Sequence, residues 1–242
     1  MPNISDKTKA QSVAAMFARI SKRYDLMNAI MTGGAHNRWR RLAAEMATQG
    51  QNSGPALDMA TGTGDLAFEL AQRPEVNCVI GLDFVTEMLI LAQKKERQRN
   101  PQRPIIWSLG DALTLPFIDN TFMCATSGFA MRNVADLQQA ISEMARVVRP
   151  GGRVVILELT PTDRQYPISR LLTVGFSSIA PLLGQLLAGD RDAYTYLPQS
   201  VKSFPTASEL SDLMQESGLT KIHWRLLGMG LVALHIGVTC PN

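Results

Sequence analysis

A chain of 242 residues, 45% of them hydrophobic, can bury a full core as one large domain or two small ones. Its formal charge of +3, from 24 basic and 21 acidic side chains, is too small to argue for nucleic acid by itself. The three cysteines, Cys78, Cys124 and Cys240, stand far apart and form no Cys-x-x-Cys or Cys/His cluster. That spacing argues against a disulfide framework or a metal site and for a reducing cytoplasm.

The first residues, MPNISDKTKAQSVAAMF, lack the apolar run of a secretory signal. Val13, Met16, Phe17, Ile20, Tyr24, Met27 and Met31 recur at three- and four-residue spacings, which predicts an amphipathic helix over about 10–31. After the break at TGGA, a second helix is expected from about Asn37 to Thr48. The period then changes. Apolar runs at 55–60, 76–83, 104–109, 121–129 and 151–159 alternate with helical stretches near 64–73, 85–99 and 134–148. Strands alternating with helices predict a parallel sheet with right-handed crossovers. Residues 167–189, PISRLLTVGFSSIAPLLGQLLAG, interrupt the pattern as a long apolar insertion. Thr206 with Glu209 forms a capping-box signature for a helix to about Ser217. Two last runs, joined by GMG, predict a hairpin closing the sheet edge. The expectation is one α/β domain: a helical cap over 1–50, a ligand-binding core over 55–160, the insertion over 161–205, and a closing helix and hairpin over 206–242.

The stretch LDMATGTGDLAFEL, residues 57–70, carries the ligand question. Gly62 and Gly64 lack a Cβ and let the backbone approach something closely. Gly62-Thr63-Gly64-Asp65-Leu66-Ala67 satisfies the dinucleotide pattern, and Asp83 lies at about the right distance for a ribose-binding acid. Asp65, however, sits at a helix N-terminus where it would repel a pyrophosphate. No Gly-Lys-Ser/Thr follows, so a P-loop is excluded. S-adenosylmethionine has no phosphate and a net positive charge, which suits a pocket edged by Asp58, Asp65, Asp83 and Asp111. Asp83 would accept the ribose hydroxyls, and Asp111 with Ala112 would meet the adenine. All of these residues fall at the carboxyl ends of predicted strands, where open α/β sheets bind ligands.

Longer segments carry a resemblance. YDLMNAIMTGGAHNRWRR (Tyr24 to Arg41) and RVVRPGGRVVILELT (Arg146 to Thr160) resemble the two signatures of the ubiquinone/menaquinone biosynthesis C-methyltransferases. GFAMRNVAD resembles that family's Phe-Gly-x-Arg-Asn loop, with Ala130 in place of Gly. DAYTYLPQSVKSFP and GLVALHIG also look like family segments, so the likeness spans nearly the whole chain. It implies a Rossmann-like class I methyltransferase fold, a mainly parallel seven-stranded sheet with helices on both faces. The implied reaction is S-adenosylmethionine-dependent methylation of a ring carbon in a polyprenylated quinol, demethylmenaquinol before the related benzoquinol. Cofactor contacts carried over by motif fall at Thr63, Asp83, the Asp111–Ala112 pair and the residue before Phe129. That residue is Gly128 here, where the family often has Ser; Ser127 stands one earlier.

A quinol that loses a phenolic proton places negative charge on the adjacent ring carbon, so the protein must stabilise a phenolate and remove two protons. Arg132 and Asn133 follow the fourth strand and are the candidates for that end of the site. Tyr24 and His36 come from the cap, and His36 is the best base by intrinsic pKa, although beside Trp39 and three arginines it also reads as structural. The insertion has no charge from Leu171 to Gly189. It is read as a flap for a polyprenyl tail, resting on the membrane surface with Arg170, Arg191 and the RWRR cluster toward anionic lipid. KKERQR, at the end of the 85–99 helix, reads as a solvated face. The expected partners are the lipophilic quinol and, transiently, the membrane surface, with no nucleic acid; a homo-oligomer is compatible with the sequence. The expected location is the cytoplasm, peripheral at the inner face of the membrane. The rival classes are an NAD(P)-dependent oxidoreductase, an RNA methyltransferase and a non-catalytic cofactor-binding regulator.

Overall fold

The computed structural model describes residues 15–19, 21, 25–26, 28–29, 32–161 and 191–240. Tyr24 and the apolar insertion at 167–189 lie outside them. Seven strands, β1 (Gly54–Met59), β2 (Val76–Asp83), β3 (Ile105–Leu109), β4 (Phe122–Gly128), β5 (Val148–Leu159), β6 (Leu219–Leu227) and β7 (Val232–Thr239), form one sheet in the order β3-β2-β1-β4-β5-β7-β6. The first five pair in parallel, and β7 enters antiparallel between β5 and β6. The chain therefore reverses direction across the sheet at β1 and β4, whose carboxyl ends frame a crevice.

Period-two alternation divides the core. Ala56, Cys124, Val155 and Leu157 face one layer, with Ala43, Ala44 and Phe68. Leu57, Ala125, Val154 and Ile156 face the other, with Ile141 and Met144. The helices covering these faces are α1 (Ala35–Thr48), α2 (Asp65–Leu70), α3 (Thr86–Arg99), α4 (Leu137–Val147), α5 (Arg191–Lys202) and α6 (Ala207–Glu216). Helix α2 is shorter than its pattern predicts; Pro74 follows closely and keeps the residue before it out of the helical region. Helix α4 starts three residues late, because a 3₁₀ turn at Met131–Asn133 precedes it and the Asp136 carboxylate caps it by accepting from Gln139 N–H at 3.0 Å. The Thr206–Glu209 capping box of α6 is present. Strand β5 begins earlier than predicted. Its partner register jumps from Phe122↔Val148 to Cys124↔Arg153, so the Pro-Gly-Gly segment is absorbed as an irregularity within the strand. Among the described residues no helix is long and apolar enough to cross a membrane.

Candidate cofactor and methyl-transfer site

A cavity of about 610 Å³ opens at the carboxyl ends of β1, β2 and β4. Gly62, Thr63, Asp83, Asp111, Ala112, Gly128 and Asn133 all line it. The turn after β1 is built from left-handed backbone: Ala60 has φ +53° and Gly62 φ +58°. A Cβ at Gly62 would project into open space, so the backbone alone forms that wall. Asp83, 7% exposed, ties the turn to β2: one carboxylate oxygen accepts from Gly62 N–H at 2.7 Å and the other from Val85 N–H at 2.8 Å. Each oxygen keeps a second lone pair for a ligand hydroxyl. Burial, partly offset by these backbone bonds, pushes the Asp83 carboxyl above its ordinary range. Asp111 closes an Asx turn by accepting from Leu113 N–H at 2.9 Å.

Asp58 is deeper. Its oxygens accept from the hydroxyls of Thr61 at 2.6 Å and Thr126 at 2.8 Å, and burial raises its pKa to about 6. Phe129 turns the chain after β4 with φ +62°, an uncommon angle for a side chain of this bulk, held by Phe129 N–H donating to Leu157 C=O at 2.7 Å. Two non-glycine outliers, Ala60 and Phe129, therefore face the same cavity.

Several expectations are corrected. Gly64 does not line the cavity: with φ +85°, its Cβ position lies 2.5 Å from the Trp107 ring. It admits a protein side chain, not the ligand. Asp65 is not a bare acid, since Arg40 at 3.5 Å, Lys95 at 2.9 Å and Arg99 at 3.4 Å surround it. Two cations of KKERQR are thereby drawn inward: Lys95 also donates to Thr63 Oγ1 at 2.8 Å, and Arg99 lies over the Phe68 ring at 4.9 Å. Of the RWRR cluster, Arg40 is only 5% exposed and lines the cavity, which removes it from any lipid surface.

His36 is buried and absent from the cavity wall; its Nδ1 accepts from Arg40, which requires a neutral ring. Burial and then the Arg40 charge lower its pKa. With Nδ1 occupied and Nε2 buried without a partner among the described residues, neither ring nitrogen is presented to the cavity. Arg132 is also turned aside: its guanidinium pairs with Glu158 at 2.7 Å and donates to Phe129 C=O, outside the cavity wall. Asn133 faces the cavity, with its Oδ1 buried and unpartnered among the described residues. Ser127 Oγ is likewise buried without a partner and does not line the cavity. Gly128 therefore contributes backbone only.

Glu158 and Tyr196 were missed by sequence reasoning. Glu158, 1% exposed near the end of β5, accepts from both the guanidinium and the backbone N–H of Arg132. Tyr196 lies close enough to feel both charges, and burial raises its hydroxyl pKa. An acid near the carboxyl end of a strand was the available signal for Glu158; for Tyr196 it was the family-like segment DAYTYLPQSVKSFP that contains it.

A pocket with glycine-turn backbone, a buried ribose-type acid and an acid-alanine pair beyond β3 fits an adenosine ligand with a cationic end. The comparisons agree. The model of the ubiE/COQ5 methyltransferase family matches residues 5–239. A demethylmenaquinone methyltransferase of Roseiflexus castenholzii is 41% identical over 95% of this chain and 94% of its own. A ubiquinone/menaquinone biosynthesis C-methyltransferase of Paracoccus denitrificans is 36% identical over 97% and 93%. Among solved structures, the cyclase SpnF superposes with a TM-score of 0.71 at 18% identity, over 96% of this chain and 97% of that one. A Haemonchus contortus phosphoethanolamine N-methyltransferase in complex with S-adenosyl-L-methionine gives 0.61 at 12%, over 84% and 53%. The structural likenesses are of fold alone. The chain belongs to the ubiE/COQ5 methyltransferase family and is an S-adenosylmethionine-dependent C-methyltransferase.

Proposed function

We propose that the protein methylates a ring carbon of a demethylmenaquinol-type naphthoquinol whose polyprenyl tail is met at a membrane surface. The observation that carries this reading is the Phe129–Asn133 end of the cavity. There Phe129, Ala130 and Val134 line the cavity together with Asn133, whose Oδ1 is buried and has no partner among the described residues. That arrangement suits a flat aromatic ring carrying a hydroxyl, with Oδ1 accepting its proton in a hydrogen bond. S-adenosylmethionine, when bound, supplies an electrophilic methyl carbon. Gly62, Thr63, Asp83, Asp111 and Ala112 would hold it, with the Gly128 backbone at the cavity wall. Arg132 acts indirectly in this proposal: paired with Glu158, it fixes the 3₁₀ turn that presents Asn133. Tyr24 belongs to the same proposal only as a cap residue outside the described region.

The naphthoquinol is favoured because relatives named demethylmenaquinone methyltransferases are 39–41% identical. Those named for both quinones are 33–39% identical and support the benzoquinol as the second reading. The test is to follow methyl label from S-adenosylmethionine into demethylmenaquinone with and without dithionite. Label on the ring only under reduction is expected. Label on the demethyl benzoquinol alone would transfer the assignment to that ring, and label on neither would overturn it.

A further inference from the structure

Arg40 has a place in the cavity that pairing with Asp65 does not explain. The side chain enters from α1, is 5% exposed, and lines the cavity beside Gly62, Thr63 and Phe129. Three contacts hold it. His36 Nδ1 accepts from Nη1, the Phe129 ring lies 5.4 Å from the guanidinium carbon, and Asp65 stands 3.5 Å from Nη1. The two polar contacts use the same nitrogen. Nε and Nη2 have no hydrogen-bond partner among the described residues.

No carboxylate among the described residues pairs with Arg40 alone. Lys95 serves Asp65 at 2.9 Å and Asp25 at 2.6 Å, and Arg99 reaches Asp65 at 3.4 Å. Arg40 therefore shares Asp65 with two other cations and reaches it through Nη1 alone, with the buried Asp58 carboxylate the other acid that feels its charge. A nearly buried guanidinium with unused donors, facing a cavity, calls for an anion from the ligand. An adenosylated amino acid brings only one anion, its α-carboxylate. We infer that Arg40, steadied by His36 and the Phe129 ring, binds the α-carboxylate of S-adenosylmethionine through its guanidinium fork and so selects an amino-acid-bearing adenosine ligand. His36 is a positioning residue in this arrangement: its neutral ring holds Nη1 and leaves the rest of the fork to the ligand.

The inference rests on the cofactor and is independent of which quinol is methylated. Its test is calorimetric binding without substrate, using S-adenosylmethionine, its decarboxylated analogue and 5′-methylthioadenosine. The parent protein is expected to prefer S-adenosylmethionine to the decarboxylated analogue by about 10- to 100-fold, the range of a charge-assisted pair. In Arg40→Gln that preference collapses toward unity, while methylthioadenosine binds within about threefold of the parent, which reports an intact pocket. Arg40→Lys keeps the charge without the fork and is expected to fall between the two. Equal weakening of all three ligands in Arg40→Gln would mean that Arg40 only supports the fold, and an undiminished preference would place the carboxylate elsewhere. Either result overturns the inference. Should Arg40→Gln fail to fold, Arg40→Lys decides by the same ratio, and a parent-like preference there would overturn the fork.

Discussion

Asp83 is the residue on which the cofactor end of the site depends most directly. Its two oxygens hold the glycine turn and β2 together while facing the cavity. Asp83→Ala should therefore raise the dissociation constant for S-adenosylmethionine by about 100-fold, the scale of lost hydrogen bonds to a charged acceptor; an unchanged constant by calorimetry would remove Asp83 from the ribose site. The two turn glycines should separate cleanly. Gly64→Ala combines φ +85° with a Cβ 2.5 Å from Trp107 and should cost about 2–4 kcal/mol of stability in urea unfolding. Gly62→Ala meets open space at φ +58° and should cost only about 1–2 kcal/mol, with its larger effect on cofactor affinity. If both lose stability equally, the close packing of Trp107 is not what fixes Gly64. Sequence spacing treated the two glycines alike, because the ring that distinguishes them comes from β3, more than forty residues later.

Among the elements, α6 offers the simplest independent test. Thr206 and Glu209 cap each other's backbone at the helix start, with the Glu209 carboxylate accepting from Thr206 N–H at 2.8 Å. Thr206→Ala should cost about 1 kcal/mol and leave cofactor binding untouched, since α6 lies away from the cavity wall. A change in affinity would mean that α6 communicates with the site. This box was readable because it is local: four residues determine it. So was β2, predicted and observed at Val76–Asp83, because a buried parallel strand is a continuous apolar run ending in its functional acid. The ion cluster around Asp65 was not readable. Arg40, Lys95 and Arg99 lie 25, 30 and 34 residues from it in sequence, and long cationic side chains find their partners only once α1, α2 and α3 have packed. The same applies to Arg132, whose turn toward Glu158 follows from the placement of β5 beside the 3₁₀ turn.

For the whole molecule, four buried titrating groups oppose one another in one pH window. Burial raises Asp58 from 3.8 to about 6 and also raises Asp83. Between pH 4 and 6 the native state therefore holds a proton on Asp58 that the unfolded chain has released, and stability falls as pH rises; Asp83 acts with the same sign. His235, fully buried with Nε2–H donating to Ala207 C=O at 2.7 Å, is lowered from 6.5 to about 4. His36 is lowered as well. The unfolded chain protonates these histidines first, so the contribution of His235 is present above pH 6.5 and is lost as pH falls toward 4, and that of His36 has the same sign. Asp58 and His235 each account for about 3 kcal/mol, at about 1.4 kcal/mol per pH unit, with opposite sign. The parent protein should accordingly be nearly flat in unfolding free energy across this window. Asp58→Asn should uncover the histidines and give stability that rises from pH 4 to 6.5. His235→Gln should uncover the carboxyls and give stability that falls over the same range. Urea unfolding at pH 4.5, 5.5 and 6.5 measures both slopes. Variants that share the parent's slope would mean that neither group titrates where its burial places it. Opposite slopes would show that a buried acid lining the cavity is balanced, in its effect on folding, by a buried histidine outside it.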